Sequence, residues 1–143
     1  MTVVERSVSI KAPIPKIFEY WNDPENLIDL WPSITEVKDV EKLENGGTRF
    51  KFTFKVAGIS IQGTSEDTEV VENEYVVNET RGGFKSTMKV EFKSSGQETE
   101  VIIRNEYEIP IPLLGKLAEA TILKQNKQEV EEVLNNLKIR MEN

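Results

Sequence analysis

The chain has 143 residues with no histidine and no cysteine, so any chemistry must come from carboxylates, hydroxyls and amides. These absences remove Ser-His-Asp and Cys-His catalysis, thiolate chemistry, disulfides and every imidazole- or thiolate-ligated metal site. No metal site and no cofactor is expected. One stretch is unusually polar for a strand. In Ile59 to Val71, one alternating phase carries Gln62, Thr64, Glu66, Thr68 and Val70, and the other carries Ile59, Ile61, Gly63, Ser65, Asp67 and Glu69. A lightly covered edge strand explains either phase; so does the polar lining of a cavity. A Glu66 held in an apolar cavity would have a raised pKa and could act as acid or base, helped by Tyr107 or ordered water. That is the only catalytic route the residue types offer, and it weighs against an enzyme more than for one.

Two other rows mix polar and apolar groups. Ser86 interrupts Phe84, Met88, Val90 and Phe92, and Asn105 interrupts Val101, Ile103 and Tyr107. A buried amide or phenol costs a few kcal/mol without a partner. These groups either bond one another or the backbone, or they are handles for a ligand. Phe50, Phe52 and Phe54 form an aromatic row that is either packed core or the apolar wall of a pocket. Trp31, between Leu30 and Pro32, is either a core anchor or a lid, whereas Trp21 at helical spacing from Ile17 and Phe18 reads as core.

Positioning these rows requires a sheet. Val3 to Ile10 reads as a strand ended by Ala12-Pro13. Ile14, Ile17, Phe18 and Trp21 give a short helix, and Asp23-Pro24-Glu25 has the N-cap, first-turn proline and acidic residue of a second, apolar through Leu27, Leu30 and Trp31. Six strands follow: Ile34 to Leu43 (imperfectly alternating, as if bulged), Thr48 to Val56, Ile59 to Val71, Tyr75 to Thr80, Phe84 to Lys93 and Glu98 to Ile109. The turns between them are rich in Gly and Asn, led by Asn45-Gly46-Gly47. Pro110, Pro112 and Gly115 then admit a long helix, Leu113 to Glu142. Short connections predict an antiparallel sheet with one apolar face. Only the last helix is large enough to cover that face.

The long helix has two faces. Val130, Val133, Leu134, Leu137 and Met141 form one stripe. The apolar side of Leu113, Leu114, Leu117, Ala118, Ala120 and Thr121 is turned from it by roughly a quarter to a third of a turn. Lys124 to Gln128 separates the two. Either the helix meets different neighbours along its length, or its second half plugs the core while its first half, through Leu117 and Thr121, roofs a pocket walled by Phe50, Phe52, Phe54 and Phe84.

The length suits one domain, residues 1–143, with no linker or repeat. A net charge of −7 without a basic cluster argues against a nucleic-acid partner. No stretch reaches the roughly 18 apolar residues of a spanning helix, and no signal-like segment opens the chain, so a cytoplasmic location is expected. Charge and composition do not choose between monomer and dimer.

Several motifs in order resemble the START-like, helix-grip (SRPBCC) superfamily, in its polyketide cyclase/dehydrase-like or coenzyme Q-binding-like branch. They are Ala12-Pro13 before Ile17-Phe18, Asp23-Pro24-Glu25-Asn26-Leu27 before Trp31-Pro32, Gly46-Gly47-Thr48, Gly82-Gly83, Thr99-Glu100-Val101, and Leu134-Asn135-Asn136-Leu137-Lys138. The resemblance implies an α+β helix-grip fold of order β-α-α-β-β-β-β-β-β-α, with a curved seven-stranded antiparallel sheet wrapped around the C-terminal helix. It also implies a cavity for a hydrophobic or amphipathic small molecule (a lipid, quinone or polyketide-like ring system). The fold hosts carriers, cyclases and co-chaperone-like modules alike, so a cyclase/dehydrase-like enzyme and a protein-interaction module stand as alternatives. The lining expected for a binder is Trp31, Phe50, Phe52, Phe54, Gln62, Thr64, Glu66, Phe84, Ser86, Met88, Asn105, Tyr107, Leu117 and Thr121.

Overall fold

A computed structural model describes residues 2–56, 58–83, 85–108 and 111–143; at 111–120 and 122 it describes the backbone alone. The elements are β1 (Thr2–Ile10), α1 (Ile14–Trp21), a 3-10 turn (Pro24–Asn26), α2 (Leu27–Leu30), β2 (Ile34–Lys42), β3 (Thr48–Val56), β4 (Ile59–Val71), β5 (Tyr75–Gly82), β6 (Lys85–Ser95), β7 (Glu98–Glu108) and α3 (Ile111–Glu142). The order of elements is the one the hydrophobic patterning predicts. Six consecutive strands joined by tight turns form an antiparallel meander, and β1 adds to its far edge, giving the order β1-β7-β6-β5-β4-β3-β2. The segment α1–α2 carries the chain from one edge of the sheet to the other. This is the α+β helix-grip architecture.

Local chemistry sets the joints. The Asp23 carboxylate accepts from the Glu25 N–H at 3.1 Å and starts the 3-10 turn, with Pro24 at its first position. The buried Thr99 hydroxyl donates to the Ala12 carbonyl at 2.7 Å, tying β7 to the segment after β1. Pro112 lies in the first turn of α3, where its missing N–H costs no helical hydrogen bond.

The C-terminal half of α3 is the plug expected of it. Val130, Val133, Leu134, Leu137 and Met141 are all buried against Val4, Ile10, Ile17, Leu30, Val90, Val101 and Ile103. Each such side chain contributes about 1.5–3 kcal/mol by leaving water. Phe18 and Phe92 meet edge to face at 5.6 Å within this core.

Two strands are irregular. β2 shifts register twice against β3, between Ile34 and Glu36 and between Lys38 and Glu41, which is the source of its imperfect alternation. β4 shifts once against β5, between Asp67 and Glu69. An extra residue in a strand reverses the inward and outward phases beyond it. The second irregularity decides what the functional site contains.

Candidate functional site

A cavity of about 160 Å³ lies between the inner face of the sheet, the segment α1–α2 and the middle of α3. Its apolar wall is built by β3 and β4, where Phe50, Phe52, Phe54 and Val56 alternate inward and Ile61 continues the surface. The three rings run in sequence, with centroids 6.2 Å apart for Phe50–Phe52 and 5.9 Å for Phe52–Phe54. The Phe52 ring lies over Gly63, where an added Cβ would sit 3.1 Å from its Cζ. Trp31 contacts Trp21 edge to face at 5.7 Å and borders the cavity while packing on the core.

The opposite wall comes from β6 and β7. Ser86 pairs with Tyr107 and Met88 with Asn105, and all four border the cavity. Asn105 Oδ1 and the Tyr107 hydroxyl are buried, and neither has a hydrogen-bond partner among the described residues. Burial raises the Tyr107 pKa, so the phenol keeps its proton at neutral pH. Asn22 Oδ1 and Asn126 Oδ1, also at the cavity, share this state.

Carboxylates close the remaining sides. Asp67 Oδ2 accepts from the Thr48 N–H at 2.8 Å, and Asp67 Oδ1 accepts from Asn78 Nδ2 at 3.0 Å. Asn78 Nδ2 also donates to Ser65 Oγ at 2.6 Å. On α3, Glu129 accepts from both the N–H and the hydroxyl of Ser33, each at 2.8 Å. Desolvation raises both carboxyl pKa values, and these hydrogen bonds offset part of the shift. The site therefore combines an aromatic wall, neutral polar atoms unpaired among the described residues, a buried carboxyl at Asp67 and a partly buried one at Glu129. Among the described residues no group of His, Cys, Asp and Glu could hold a metal ion.

A family model described as "Polyketide cyclase / dehydrase and lipid transport" matches residues 1–142. The chain belongs to that family. Among solved structures, a protein of Thermus thermophilus matches with a TM-score of 0.84 at 22% identity, covering 98% of this chain and 97% of that one. The Zhui aromatase/cyclase of a Streptomyces species matches at 0.83 and 14%, covering 99% and 93%. A START superfamily protein of Mycobacterium smegmatis matches at 0.72 and 19%, covering 98% and 97%. At these identities the likeness is one of fold. A search of curated proteins by sequence finds no match.

Within this family member, the structure redistributes the candidate residues. Trp31, Phe50, Phe52, Phe54, Ser86, Met88, Asn105 and Tyr107 converge on the cavity. Gln62, Thr64 and Glu66 do not: they pair with Thr53, Lys51 and Arg49 on the outer face of the sheet. Glu66 bonds Arg49 Nη1 at 3.1 Å and lies 3.6 Å from Arg81 Nη2, so it is a surface ion-pair carboxylate rather than an acid or base in the cavity. The other phase, Ile61, Gly63, Ser65 and Asp67, faces in. The shift at residues 67–69 then returns Val70 to the core as well, so an inward Val70 does not carry Glu66 in with it. Thr121 is exposed and away from the cavity. The side chains of Phe84 and Leu117 lie outside the described residues, and with them the roof expected from the first half of α3.

The polar run of α3 reaches the cavity: Gln125 and Asn126 border it one turn before Glu129. Sequence reading missed Asp67, Asn78, Ser33 and Glu129. Asp67 was legible as part of the alternative phase; Glu129, one of many charges on a helix, carried no signal.

Proposed function

We propose that the protein binds an apolar or amphipathic small molecule, of lipid, quinone or polyketide-like ring type, in the cavity between its sheet and C-terminal helix. The observation that carries this reading is the pair Asn105 Oδ1 and Tyr107 hydroxyl, buried without partners among the described residues at an aromatic-walled cavity. Each unmet polar atom costs about 1–3 kcal/mol, a cost a ligand hydroxyl would remove at both atoms and a ligand carbonyl at the Tyr107 phenol alone. The volume is close to that of an engineered cavity of about 150 Å³ that takes benzene, enough for one ring with substituents. The family's description, which includes lipid transport, supports the same reading.

Calorimetric titration with 4-propylphenol, a neutral single-ring molecule bearing one hydroxyl, tests it. Saturable binding that weakens in Tyr107→Phe and is blocked by filling the space in Ser86→Phe is the expected result. Non-saturable binding indifferent to both changes, with no apolar molecule retained on native mass spectrometry, would overturn it.

A second reading, a cyclase/dehydrase-like enzyme, draws on Asp67 and Glu129. Buried carboxyls with raised pKa values suit acid–base work. Turnover of a poly-β-ketone substrate that is lost in Asp67→Asn or Glu129→Gln, with binding kept, would favour it; turnover unchanged in both would remove it.

A further inference from the structure

We infer that the cavity selects its ligand by charge, taking an uncharged ring or chain that bears a hydroxyl and rejecting the matching carboxylate. The inference rests on the ligand-binding reading above. Among the described residues bordering the cavity are three carboxyl side chains, Asp67, Glu108 and Glu129, and no lysine or arginine. Lys85, exposed on β6, stands opposite the exposed Glu108 in the sheet register; three other cations next to this part of the sheet are turned away. Arg49 is held by Glu41 and Glu66 on the outer face, Arg81 lies beside Glu66, and Lys51 beside Asp39.

The hydrogen-bonding pattern points the same way. The donors nearest the acidic groups are already committed: the Thr48 N–H and Asn78 amide to Asp67, and the Ser33 N–H and hydroxyl to Glu129. A ligand carboxylate would find no cation among the described residues and would add a negative charge beside groups of the same sign, in a place where water screens poorly. It would stay repelled, or it would force a proton onto Asp67 or Glu129; binding weakens either way, by about tenfold for each pKa unit of displacement. A hydroxyl meets the opposite situation. It can donate to Asn105 Oδ1 and accept from the Tyr107 phenol, satisfying both groups without net charge.

The test is a matched pair, 4-propylphenol and 4-propylbenzoate, titrated near neutral pH while the backbone amide signals of Asn105 and Tyr107 are followed by NMR. The phenol is expected to bind at least tenfold tighter. Glu129→Gln and Asp67→Asn are each expected to narrow the gap by strengthening the benzoate, and phenol binding reports that each variant is folded. Equal affinities, or a tighter benzoate, would overturn charge selection while leaving ligand binding intact. A gap unchanged in every folded variant would also overturn it, since the carboxyls would not be its source. Neither molecule moving these signals would bring down the ligand-binding reading and this inference together.

Discussion

Ser33 holds Glu129 by two bonds at once, its N–H and its hydroxyl each 2.8 Å from a different carboxylate oxygen. The contact joins the segment after α2 to the middle of α3. A third bond, from Asn136 Nδ2 to the Leu30 carbonyl at 3.0 Å, ties α2 to α3 two turns further along the same face of the helix. Ser33→Ala leaves one oxygen of the partly buried Glu129 carboxylate without its donor, so a loss of about 1–2 kcal/mol is expected from urea denaturation. An unchanged midpoint would show that the pair does not support the fold.

The acidic groups make stability depend on pH in a definite direction. Burial raises the pKa of Asp67 and Glu129, so the folded chain keeps protons that the unfolded chain has released. Where the native state binds more protons, stability falls as pH rises. The window begins at the ordinary carboxylate value near pH about 4 and ends where the raised groups have ionised. Glu142 acts oppositely and lower, because its hydrogen bond from Lys138 depresses its pKa. Relative to the native protein, Glu129→Gln should therefore gain stability as pH rises from about 4 toward neutrality. Parallel curves of unfolding midpoint against pH would contradict this.

Core and cavity wall should respond differently to truncation. Leu137 is fully buried in the plug, and Leu137→Ala should cost about 2–5 kcal/mol. Phe52 is also buried, but one side of its ring faces open space. Phe52→Ala should cost less than the roughly 3–5 kcal/mol of a fully packed phenylalanine, because part of the void already exists. Chemical denaturation of both variants checks the contrast. A Phe52→Ala loss above that range would mean the ring is packed on all sides.

Gly47 is required by close approach rather than by its own backbone angle. A Cβ placed there would lie 2.4 Å from Asp67 Cβ and 2.9 Å from both Asp67 Oδ2 and Val70 Cγ2. The β2–β3 turn therefore rests directly on the irregular part of β4, and Asn45 Nδ2 donates to the Asp67 carbonyl at 2.8 Å to hold it there. Gly47→Ala should lower stability by about 1–3 kcal/mol through strain. It should also disturb the Thr48–Asp67 bonds, seen as a shifted Thr48 amide signal. A thermal midpoint and an amide signal both unchanged would refute the contact.

Patterning settled the order of elements and an antiparallel sheet covered by the last helix; the curved seven-stranded arrangement came with the family resemblance. Alternation in Thr48 to Val56 and in Val101 to Tyr107, the glycine-rich turns, and the stripe from Val130 to Met141 each depend on a local period, and a local period is visible in one dimension. The same periods placed Phe50, Phe52, Phe54, Met88, Asn105 and Tyr107 on a common face. Tertiary structure alone decided which acids meet that face. One irregularity at residues 67–69 reverses the phase of β4, leaving Asp67 inside and Glu66 on the surface with Arg49 and Arg81. Glu129 becomes a partly buried carboxyl, bonded to Ser33, which lies 96 positions away in the chain. A phase reversal and a long-range contact leave no periodic trace in the sequence, and they are what put the acidic groups of this cavity in place.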